Sequence, residues 1–147
     1  MALLQGLAQY LANANLGTYD PLGPAGNGPT GTIFVEIMPE QPGVAIALFQ
    51  HGGPEPDAKL GYDSPSVQVR VRGSQDPRVS QALCQKVYET LHGLETTLPD
   101  GTVLVNCIAM ASGPTAMGPD HSNRFEHVIN FRTEIRNLAG ARPGGRQ

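Results

Sequence analysis

The sequence has no tryptophan, only eight Phe and Tyr residues and two cysteines, and 16% charged side chains where a soluble domain usually carries about a quarter. Each shortage excludes something. Aromatics at 5% and a net charge of -3 give little for stacking nucleic-acid bases or tracking a phosphate backbone. Cys84 and Cys107 fall in apolar stretches and are too few for a disulfide scaffold, so they read as reduced, buried thiols of a chain made in a reducing compartment. No apolar run approaches the eighteen or so residues of a membrane span; Val44–Phe49 and Val103–Ala111 are strand-sized. Met1–Leu4 has no basic flank, so a signal peptide is not expected, and there is no Asn-x-Ser/Thr sequon. No Gly-Lys-Ser/Thr loop is present to cradle phosphates. Few charges on a soluble surface imply that part of it is covered by other subunits.

What the chain does have is glycine and proline, 31 of 147 residues or about 21%, below the low-complexity range. The length suits one domain, expected over residues 1–138 and followed by a flexible basic tail, 139–147. Leu3, Leu4, Leu7, Tyr10 and Leu11 recur at helical spacing, which predicts a helix over 2–13. Thr18–Gly31 reads as a loop. Thr32–Ile37 and Val44–Gln50 read as a hairpin with a longer turn, apolar on both faces, so a second layer must cover them. His51–Pro65 is another loop. Ser66–Arg72 alternates strictly, with valines inward and Gln68, Arg70 and Arg72 outward. Asp76 is a plausible N-cap, Pro77 suits a first helical position, Val79, Leu83, Val87 and Leu91 form a stripe widened by Cys84 and Tyr88, and Gly93 ends the helix. Leu98–Thr102 is a turn, Val103–Ala111 a strand, Ser112–Arg124 a third loop and Phe125–Ile135 the last strand. The order α-β-β-β-α-β-β predicts an α+β domain: a mainly antiparallel sheet of about five strands with two helices on one face.

Catalytic, cofactor and metal signatures are weak. Gly26-x-Gly28-x-x-Gly31 matches a dinucleotide fingerprint as a string, but a helix precedes it and a strand follows, the reverse of the required context. His51, Asp57, Asp63, His121 and His127 lack metal-site spacing. Ser112 and Ser74 sit in turns without a nucleophile elbow, Cys84 is mid-helix, and His92 is a helix-terminal residue. No catalytic, cofactor-binding or metal-binding residue is therefore assigned, and no cofactor is expected. Charge is more informative. Residues 1–69 hold six acids and one base, net -5; residues 70–147 hold nine bases and seven acids, net +2. Arg70, Arg72, Arg132 and Arg136 share one face if their strands share a sheet. With Phe34 and Phe49 they form the candidate interface, a docking surface for an acidic neighbour, against the plainer alternative of a solvated face.

The pattern as a whole resembles the minor capsid or tail terminator proteins of long-tailed bacteriophages, particularly those of actinobacterial hosts. The resemblance rests on Leu3-Leu4-x-Gly6-Leu7-Ala8-x-Tyr10-Leu11, Ile33-Phe34 with Met38-Pro39, and Val44–Leu48 leading to Gly52-Gly53. It continues through Val67–Gly73, Val87-Tyr88-x-x-Leu91-His92-Gly93-Leu94 and Phe131-Arg132-x-Glu134-x-Arg136-Asn137, in that order. It implies a non-enzymatic virion protein assembled in the host cytoplasm, forming a homo-oligomeric ring, typically a hexamer. Such a ring caps the tail tube, stops its polymerisation and joins it to the head connector or stopper. Its partners would be itself, the tail tube protein and the connector, with genome DNA passing through without sequence-specific binding and no membrane involved. Other readings are a different head–tail component (head completion or adaptor), a monomeric adaptor using the arginine face, and a small metal- or ligand-binding enzyme built on His51–Asp63 and Gly113–His127.

Overall fold

A computed structural model describes residues 2–23, 27–53 and 62–136. The expected basic tail at 139–147, the start of the Gly26–Gly31 string and Asp57 lie outside the described residues. Helix α1 (Ala2–Asn13) is followed by β1 (Ile33–Val35), β2 (Ala45–His51), β3 (Tyr62–Asp63), β4 (Ser66–Arg72), α2 (Pro77–Leu91), β5 (Thr96–Thr97), β6 (Val103–Ala109), β7 (Thr115–Pro119) and β8 (Phe125–Arg136). The α+β class holds; among the described residues eight strands, rather than about five, form one sheet ordered β1-β2-β4-β8-β6-β5, with β3 and β7 also pairing β8. β8 organises the sheet. One of its edges takes β4 and β3, the other takes β7 along its first half and β6 along its second, all antiparallel.

Both helices pack on one face. Leu3, Leu4, Leu7, Ala8 and Leu11 of α1 and Cys84, Val87 and Leu91 of α2 join Ile46, Leu48, Val67, Val69, Val71, Ile129 and Phe131 in one core. Asp76 caps α2 through its carboxylate, which accepts the Arg78 backbone N–H, and Pro77 follows it. Gly93, at φ +80°, takes the left-handed conformation that ends the helix. The buried stripe of α2 is turned by one residue from the expected one: Ser80, not Val79, faces the core, and Val79 is exposed. Gly73 explains the close fit, because a Cβ there would lie 2.7 Å from the Ser80 backbone nitrogen.

Two expectations fail in instructive ways. β1 and β2 are not a hairpin; they pair in parallel, Ile33 opposite Ile46 and Val35 opposite Leu48. Parallel neighbours normally need a long crossover. A three-residue β1 is so short that residues 36–44 suffice to bring the chain back, and Glu36 turns it sharply at φ +65°. The segment expected as the loop Ser112–Arg124 contains β7. Its Thr-Ala-Met-Gly-Pro sequence has no strand signature, but β8 supplies a ladder, and a bulge between Ala116 and Gly118 absorbs the misfit.

Candidate docking surface: the helix-free sheet face

The second face of the sheet carries no helix. At its β1–β2 end it is apolar, and it is closed by this chain itself: Phe34, Ala45 and Ala47 form a small buried cluster against Met38 and Phe49. The second layer expected over those strands is thus supplied, at this end, by the chain itself. Met38 comes from the crossover loop that the parallel pairing creates.

The β4–β8 register places Arg70 opposite Val128, Arg72 opposite Glu126 and Ser66 opposite Arg132. The four arginines therefore share this face, as alternation along the two strands requires. They do not share a role. Arg72 is only 3% exposed. Its Nε donates to the Gly43 carbonyl at 2.8 Å and its Nη2 to the Pro42 carbonyl at 2.6 Å and the Glu40 carbonyl at 3.4 Å. Burial lowers its pKa and the neighbouring Arg124 cation adds to the effect. Arg72 is thus a bolt for the crossover loop and presents no surface to a partner, contrary to its expected outward position. Phe34, also buried, belongs to the interior of this face.

Arg70 is half-buried, its guanidinium 5.5 Å from the centre of the Phe49 ring and its Nε donating to Gln68 Oε1 at 3.0 Å. Arg136 lies 5.7 Å over the Tyr62 ring and donates to its hydroxyl at 3.3 Å. Arg132 is exposed, and no hydrogen bond or ion pair engages its side chain within the described residues. It stands between Ser66 of β4 and Ile108 of β6, with Asn130 and Glu134 before and after it in the same row. Arg70, Phe49, Arg132 and Arg136 thus remain as the accessible part of the candidate interface.

A second clasp was invisible in the sequence. Arg124 donates through Nη1 to the Glu40 carbonyl at 2.7 Å, and its Nη2 meets the Glu40 carboxylate at 3.3 Å and that of Asp120 at 3.0 Å. His121 Nε2 lies 3.2 Å from the same Glu40 carboxylate. Backbone N–H groups of Arg124 and Ser122, with the Arg124 guanidinium, hold the Asp120 carboxyl below its usual range. The crossover loop and the β7–β8 turn are joined by side chains 84 positions apart in the chain. Asp120-x-Ser122-Asn123 does carry an Asx-turn signature; nothing in the sequence pairs it with Glu40.

The residues weighed for catalysis and metal binding are scattered. His51 ends β2 and is exposed, Asp63 lies in β3, and His121 is in the β7–β8 turn. His127 is buried, its Nδ1 2.8 Å from Ser80 Oγ. Fully buried, Ser80 meets no substrate, so the pair is a core contact missed by sequence reasoning. Among the described residues, no group of three or more His, Cys, Asp or Glu side chains gathers to hold a metal. Burial pushes both thiols, Cys84 and Cys107, up to about 12, which makes them poor nucleophiles. His92 caps α2, stacks on Tyr88 at 5.3 Å, and accepts the Ala109 N–H at 3.0 Å.

The helix-backed sheet thus presents an open face that bears arginines. A family profile described as bacteriophage tail terminator protein matches residues 10–137. The chain belongs to the bacteriophage tail terminator family. Its role is structural, in the phage tail. The family match takes in α2 and every strand, from the last turn of α1 to just beyond β8. Among solved structures the chain is similar in fold to a chain of the virion of a native gene transfer agent particle. That likeness has a TM-score of 0.52 at 16% identity and covers 71% of this chain and 78% of the other. A search among curated proteins returns no match.

Proposed function

We propose that this tail terminator works as a closed homo-oligomeric ring, typically a hexamer, seated on the end of the tail tube. One face of the ring matches the last tube layer and the other does not repeat it, which ends polymerisation and offers a landing surface to the head connector or stopper. A heterologous contact that closes on itself is what gives a ring a finite size. Genome DNA passes through the central channel without sequence readout, and assembly takes place in the host cytoplasm. The observation that carries the reading is the family match over residues 10–137, on a fold whose helix-free face keeps an unengaged arginine. The test is to add purified protein to growing tail tubes and image them in negative stain with a label on the chain. The expected result is one ring at one end of each tube and arrested elongation. Unaltered tube growth, or label distributed along the tube wall, overturns it.

A further inference from the structure

Charge is distributed unevenly across the sheet. Described residues up to 53, which make α1, β1 and β2, include no lysine or arginine, while Asp20, Glu36 and Glu40 are all among them. β1 and β2 form one lateral edge of the sheet, and Arg132 and Arg136 lie toward the other side, on β8. Two of the three acids are already engaged. Glu40 is matched by Arg124 and His121, and Asp20 by the Thr30 hydroxyl and the backbone N–H groups of Leu22 and Thr30. Glu36 is exposed, has no cation beside it among the described residues, and uses only Oε1, to accept the Gln50 N–H at 3.0 Å. It also sits in the left-handed region, at φ +65°, where glutamate is uncommon. Its neighbour Ile37 is 51% exposed. On the helix-free face the unengaged Arg132 has a half-buried isoleucine, Ile108, as its β6 neighbour.

Main-chain pairing is a poor route between copies. Asn27 already makes the two bonds a further strand would make to Val35, accepting its N–H at 2.8 Å and donating to its carbonyl at 2.9 Å. At β6, Gly93 N–H occupies the Cys107 carbonyl and His92 the Ala109 N–H. β7 is blunted by a bulge and by Pro119. Side chains must therefore supply the contact.

We infer that the subunit contact of the ring sets the Glu36–Ile37 edge of one copy against the Arg132–Ile108 row of the next. The inference rests on the ring reading above. The two patches differ, so each copy uses both and the contact is head-to-tail, as a ring requires. Glu134 lies between Arg132 and Arg136 on the row, and Arg70 restores the excess of positive charge that an acidic edge would meet.

The test uses the full chain added to tail tubes, with ring occupancy scored in negative stain and by cross-linking at low and high salt. Arg132→Glu should lower ring formation about tenfold or more at low salt. Glu36→Gln keeps the acceptor for Gln50 and should lower it severalfold. Arg132→Glu combined with Glu36→Arg should recover rings, with folding of each variant checked by its thermal melt. Rings at wild-type yield in both single variants overturn the inference, as does a double variant no better than the worse single. Intact rings that lose only tube binding also overturn it, by giving the row to the tube. If the wild-type chain itself makes no ring on tubes, the ring reading fails instead.

Discussion

The two faces of this sheet are built from alternate residues of the same strands, yet they are stabilised by different physics. The helix-covered face is a continuous apolar core, where Phe131, Ile129 and the β4 valines meet Leu4, Leu7, Leu11, Val87 and Leu91. The open face has a small apolar patch at one end; beyond it, Val128 and Ile108 are set among polar side chains that fasten loops or face outward. One face makes the fold; the other holds the crossover loop and leaves Arg132 without a partner among the described residues. A partner recruited through the open face need not disturb the core.

The sharpest way to break that division is Phe131→Ala. The ring is fully buried on the core face, and removing it should cost about 3–5 kcal/mol, read as a shift of the denaturant midpoint at unchanged slope. A cost below about 1 kcal/mol would mean that the two faces are not so unequal. Next is Arg72→Ala on the open face. The Pro42 and Gly43 carbonyls lose their donor, while the Glu40 carbonyl keeps Arg124, and a buried side chain that fastens the loop is lost, so a cost of about 2–3 kcal/mol is expected, with faster amide exchange across residues 36–44. Ser80→Ala should cost about 1–2 kcal/mol by orphaning the His127 ring nitrogen.

His127 also gives the core a pH dependence with a definite sign. Burial lowers its pKa from 6.5, so in acid the unfolded chain takes up a proton that the folded chain resists. Its contribution is constant well above 6.5 and is lost as pH falls from there toward the lower folded value. Thermal melts should therefore drop on acidification through that window, and His127→Gln should flatten this part of the curve. Carboxylates held low by their partners, such as Asp120, act further down the pH scale.

Features carried by local chemistry were legible in advance. α1 follows its leucine spacing, α2 begins at Asp76-Pro77 and ends at Gly93, the Leu98–Thr102 turn joins β5 to β6, and the alternation of β4 and β8 puts Arg70, Arg132 and Arg136 on one face. Features decided by distant partners were not. Nothing local distinguishes a parallel return from a hairpin at residues 36–44, because the difference lies in whether Ile33 meets Ile46 from the same or the opposite direction. β7 has no apolar period and exists because β8 is long enough to pair it. Arg72 reads like Arg70, and only the loop folded over it separates them. The candidate surface was thus readable as a row of residues; which members are free for a partner depends on tertiary packing.

That separation between Arg70 and Arg72 is also the finest test of the comparison. The two lie on one strand and one face, two positions apart. Arg70→Ala removes a cation over Phe49 and a bond to Gln68, both half-exposed, and should cost about 0.5–1 kcal/mol. Arg70→Lys should recover little of it, because lysine lacks the planar fork. If the open face is divided into loop bolts and accessible cations, Arg72→Ala exceeds Arg70→Ala by at least about 1 kcal/mol, and only Arg72→Ala loosens the crossover loop. Equal costs, or a loop loosened by Arg70→Ala, would place both arginines in one structural network and leave Arg132 and Arg136 as the accessible cations of the row.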